Sequence, residues 1–92
     1  MGHYNHISLK DLENQISLIE CLRVKLIPQT PDQLFTPYPY QRPLSMKNTL
    51  LELKQKRIQK HYPDVDVQFF HFNHNGELPD YMRLSVVMRL SY

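Results

Sequence analysis

Apolar positions along this chain change their period several times, and each change marks an element. Leu9, Leu12, Ile16 and Ile19 fall at spacings of three, four and three, the stripe of a helix buried on one side. Ser8 stands before them with a hydroxyl able to accept from a first-turn amide, and Asp11 puts negative charge at the positive end of the helix dipole. The period then shortens to two: Leu22, Val24 and Leu26 alternate with Arg23 and Lys25, which predicts a strand over 21–27, although Leu22 and Leu26 would also extend the helical stripe.

Periodicity is then lost. From Pro28 to Pro43 five prolines remove amide donors and fix φ, so residues 28–44 are expected to form an extended linker, its Phe35, Tyr38 and Tyr40 lying along the domain surface. A second helix is predicted over 45–62, with Ser45 as N-cap, Leu50, Leu51, Leu53, Ile58 and Tyr62 on the apolar side and Pro63 as the stop.

Two alternating runs close the chain. Val65, Val67 and Phe69 alternate in the first, and Met82, Leu84, Val86, Met88 and Leu90 in the second. A turn centred on Asn75 and Gly76 sets Phe69 opposite Met82, Val67 opposite Leu84 and Val65 opposite Val86, a hairpin whose register is specified by matched apolar partners. Pro79, facing Phe72, lacks the amide that ladder needs and favours a wider loop. The expected fold class is α+β, a two-layer sandwich in which a small antiparallel sheet, the C-terminal hairpin with 21–27 as third strand, packs against two helices.

Composition narrows the setting. Residues 1–92 suit a single small domain with little room for a deep pocket. One cysteine, Cys21, excludes an intrachain disulfide and a cysteine-based zinc module, which favours a reducing, cytoplasmic location. No apolar run approaches the length of a membrane span, so no membrane partner is expected.

Candidate chemistry is sparse. His3 with His6 and His71 with His74 share a His-x-x-His spacing, but alternate strand positions point to opposite faces, so metal binding by these four is not the favoured reading. His61, His71, Asp64, Asp66, Glu77, Asp80 and Arg83 offer acid-base combinations, yet no nucleophile motif and no phosphate-cradling glycine loop accompanies them. No enzyme activity and no cofactor are expected.

Charge is unevenly placed. Lys47, Lys54, Lys56, Arg57 and Lys60 face only Glu52 within 45–62, whereas 63–80 carries Asp64, Asp66, Glu77 and Asp80 without a Lys or Arg. Lys54, Lys56, Arg57 and Lys60 beside aromatic rings therefore suggest nucleic-acid binding. Phe70, Phe72, Tyr81, Arg83 and Val87, on the outer side of the expected hairpin, suggest instead a protein interface with a free strand edge. The favoured function is a small non-enzymatic protein-binding or regulatory protein, a homodimer through that hairpin, with nucleic acid on the basic helix as the alternative. Pro-x-x-Pro at Pro28 to Pro31 and the run "TPYPYQRP" add a docking-peptide character to the linker.

The passage "LKQKRIQKHYPDVDVQFF", Leu53 to Phe70, resembles the helix, aromatic-Pro, strand passage of the small DNA-damage-inducible DinI-type regulators of recombinase filaments. The resemblance is confined to that passage. The present chain has no evident opening strand and is expected to end in a strand where that family has a helix, and no function or residue role is carried over.

Overall fold

The computed structural model describes residues 6–30, 32–72 and 76–89. Its elements run α1 (Leu9–Glu20), β1 (Arg23–Ile27), α2 (Leu50–Leu53), a π-helical turn (Lys54–Ile58), α3 (Gln59–His61), β2 (Asp66–Phe70) and α4 (Leu84–Arg89).

Helix α1 starts where its cap predicts, with Ser8 Oγ accepting from the Asp11 amide at 3.2 Å and Leu12 and Ile16 fully enclosed. It ends at Cys21, whose φ of 60° and ψ of 37° lie in the left-handed region that ends many helices. That reversal resolves the ambiguity of Leu22 and Leu26. Leu26 is buried within the alternating strand β1 and Leu22 just before it, instead of along a longer helix.

Strand β2 buries Val67 and Phe69 as its alternation requires, with Val65 buried just before it, but its partner is β1. Leu26 faces Val67 and Val24 faces Phe69 in an antiparallel pair. The predicted pairings of Val67 with Leu84, Phe69 with Met82 and Val65 with Val86 are therefore incorrect. Alternation dictates which face a strand buries and leaves the choice of partner open, and "LRVKLI" offers the same inward set.

The C-terminal strand is corrected as well. After β2 the described part of the returning chain makes one bridge to that strand, Phe70 with Glu77, and one bond, from the Leu78 amide to the Phe69 carbonyl at 2.8 Å. Pro79 follows without a donor. Leu84 and Val87, three apart, are buried while Val86 is exposed, and that helical spacing forms α4. The sheet of the described residues is thus two-stranded within an α+β fold. The turn at Asn75 lies outside the described residues.

The second helix starts at Leu50, later than predicted. Ser45 to Asn48 forms a turn, and Thr49 is the cap: its Oγ1 accepts from the Glu52 amide while Glu52 accepts from the Thr49 amide, a reciprocal capping box. The π turn has a cause in the sequence. Leu53 and Ile58, both buried, are five residues apart, too far for one α turn of 3.6 residues. The i→i+5 bond from the Gln59 amide to the Lys54 carbonyl absorbs the extra residue and keeps Leu50, Leu53, Ile58 and Tyr62 inward.

The linker is not a surface strap. Phe35 and Tyr38 are buried in the core with Leu12, Ile16, Leu50 and Phe69, and Ile7 and Phe35 exchange two backbone bonds of 2.7 and 3.0 Å. Phe35 meets Tyr62 edge-on at 6.1 Å. Aromatic area buried here compensates for backbone bonds that prolines cannot make. No helix among the described residues is long and apolar enough to cross a membrane.

Candidate functional site

The basic helix is largely spent on the fold. Lys54 pairs with Asp66 at 3.3 Å, Lys56 with Glu52 at 3.2 Å, and Arg57 with Glu20 at 2.7 Å. Among the four cations expected to meet nucleic acid, only Lys60 has no ion pair to a described residue. The amide of Val67, followed by Lys54, holds the Asp66 carboxyl below its ordinary range, and the Thr49 amide, followed by Lys56, does the same for Glu52.

Glu20 is the centre of this arrangement. Its side chain is fully buried, and it accepts from Tyr38 Oη at 2.6 Å, from Arg57 Nη1 at 2.7 Å and from the Leu44 amide at 2.8 Å. Arg57 also donates to the Arg42 carbonyl at 2.6 Å and lies over the Tyr40 ring at 4.2 Å, while Tyr40 Oη meets His61 Nε2 at 3.0 Å. Burial raises the Tyr38 hydroxyl far above the usual tyrosine range, and hydrogen bonding to Glu20 adds to it. Burial alone would lower Arg57, but the bond to Glu20 and its charge outweigh this and hold the guanidinium above its ordinary value. The network ties α1, the linker and the π turn together. Its signal in the sequence was Glu20 itself, a carboxylate four residues after Ile16 on the buried stripe Leu12–Ile16–Glu20.

The residues expected at a hairpin interface are dispersed. Phe70 is half-buried, with the Arg23 guanidinium 5.3 Å above its ring, whereas Phe72, Tyr81 and Arg83 are exposed. Val87 is only 2 % exposed and belongs to the core, since α4 turns it inward. His71 is buried and His61 exposed on Tyr40, with Asp66 already in its ion pair. His3 and His74 lie outside the described residues. Among the described residues no group of three or more His, Cys, Asp or Glu is placed to hold a metal.

Two surfaces escaped the periodicity. The first surrounds α4, where four backbone bonds join residues 46–51 to 80–85: Leu50 to Met82, Leu51 to Asp80, Leu84 to Asn48 and Ser85 to Met46. Exposed Met46, Leu51 and Tyr81 come from these segments and exposed Val86 from α4 just after them, and Met46 also lines an apolar dimple of about 30 Å³ with Leu22, Leu44, Leu84 and Met88. The second is an open groove of about 520 Å³ between α1 and β1, lined by Lys10, Glu13, Asn14, Ser17, Arg23, Lys25 and Phe70. Neither could be read from one element, because each is made by segments that only the fold brings together.

No protein-family model, no curated protein and no solved structure matches this chain. The likeness of Leu53–Phe70 to the DinI-type regulators therefore rests on that passage alone.

Proposed function

We propose that this chain is a small non-enzymatic protein-interaction module that self-associates through the face carrying α4. The observation behind this reading is the concentration of Met46, Leu51, Tyr81 and Val86, four exposed large apolar side chains, on two segments locked together by backbone bonds and on α4, which continues one of them. Tyr81 is 81 % exposed, an arrangement that leaves its ring in water unless another surface covers it. The adjoining dimple would receive an apolar side chain of the second copy, and its methionines adapt readily to a new neighbour.

Nucleic acid on the basic helix has less support, since Lys54, Lys56 and Arg57 are already paired within the chain. A light-scattering concentration series tests the dimer. The intact chain should approach twice its monomer mass without ligand, and Tyr81→Glu with Val86→Glu should return it to the monomer while circular dichroism stays unchanged. A chain that remains monomeric at its highest soluble concentration refutes the reading.

A further inference from the structure

We infer that the groove between α1 and β1 is a binding site for single-stranded nucleic acid, held by its phosphates on Lys10, Arg23 and Lys25. This site is separate from the α4 face and does not depend on self-association.

All three cations are exposed, and none has an ion pair to a described residue. Glu13 is the one acid lining the groove, and its Oε2 is engaged by the Leu26 amide at 2.7 Å. Three positive charges therefore face one partly committed negative charge, an excess that attracts a polyanion.

The shape of the groove selects among anions. Ser17 Oγ accepts from the Val24 amide at 3.2 Å, and Glu13 covers Leu26 in the same way, so the outer edge of β1 is closed to an added peptide strand. The groove is open along its length instead of enclosing one small phosphate. Arg23 and Lys25 project from the same side of β1 about 6.6 Å apart, a spacing that lets successive phosphates of an extended chain be met in turn.

An aromatic surface completes the match. Arg23 and Phe70 are cross-strand partners, and the guanidinium is already held over the ring, so an unpaired base can stack on that pair. Asn14 and Ser17 line the same groove with hydrogen-bonding groups for sugar or phosphate.

The full chain should be titrated into a fluorescently labelled mixed-sequence single-stranded oligonucleotide, followed by anisotropy. With three phosphates neutralised, affinity should fall about 20-fold between 50 and 200 mM salt, by the counterion slope for single strands. Arg23→Glu with Lys25→Glu should abolish most binding, and the milder Arg23→Gln with Lys25→Gln should weaken it with an unchanged dichroism spectrum. Phe70→Leu should weaken binding while preserving the salt slope, whereas Lys56→Glu should leave affinity within about twofold, since that residue contacts no phosphate. Absence of binding at 50 mM salt overturns the inference. So does equal loss from Lys56→Glu, or competition by polyglutamate as effective as by unlabelled oligonucleotide, which would indicate an unselective polyanion surface.

Discussion

Two basic regions of this small protein look alike by charge and differ in what the fold has done with them. Along the helix of residues 50–61, Lys54, Lys56 and Arg57 each meet a carboxylate of the same chain. Along the α1–β1 groove, Lys10, Arg23 and Lys25 meet none among the described residues. The helix is richer in cations along the sequence, and the groove is richer in cations still available to a ligand. A count of charges along the chain ranks surfaces in the wrong order when partners lie far away in sequence. Arg57 and Glu20, 37 positions apart, are the clearest instance.

The comparison breaks most sharply at Arg57. Replacing it with Leu leaves Glu20 buried without its cation, so urea denaturation should show a loss of about 3 kcal/mol, as for one removed partner of a buried pair. A loss below about 1 kcal/mol would mean that Tyr38 and the Leu44 amide satisfy Glu20 alone. Next comes the start of the same helix. Thr49→Ala removes the capping box and should cost about 1 kcal/mol in the same assay.

Acid provides a graded version. The carboxyls of Asp66 and Glu52 lie below their ordinary values of 3.8 and 4.5, so between folded and unfolded pKa values the unfolded chain binds more protons. Their stabilisation is complete above the ordinary values and is lost as pH falls through the depressed ones. Asp66→Asn should flatten the acid limb of a stability-against-pH curve, and an unaltered limb would show that neither the Val67 amide nor Lys54 stabilises the carboxylate.

Smaller still is Lys56→Ala, which breaks an exposed i,i+4 pair and should barely move the urea midpoint. In the groove, Arg23→Gln with Lys25→Gln should shift the denaturation midpoint least of all, since neither cation has an ion pair to a described residue to lose. Should the groove pair prove more damaging than Arg57→Leu, the division between committed and available charge would be reversed.

Local chemistry was legible from the sequence. The cap at Ser8, the stripe of α1 and the alternation of both strands follow from near neighbours, and each forms as the pattern requires. Partner choice was not legible, because Leu22–Val24–Leu26 and Leu84–Val86–Met88 present the same period to Val67 and Phe69. Residues 84–89 fit a strand or a helix equally on alternation alone, and Pro79 was the local sign that the ladder stops. The binding surfaces were hidden for the same reason. Lys10 and Arg23 face one groove only because Cys21 reverses the chain between them.

The π turn gives this protein a position where the chain can lose one residue without a change of register. Gln55 is exposed, and many side chains would serve there, but deleting it would close the wide turn into ordinary α-helix. Leu53 and Ile58 would then stand four residues apart, still on one face of an ordinary helix, so the buried stripe would survive the loss. A single codon lost at that point would therefore do less harm than one lost elsewhere in the helix, where no wide turn absorbs the change of register.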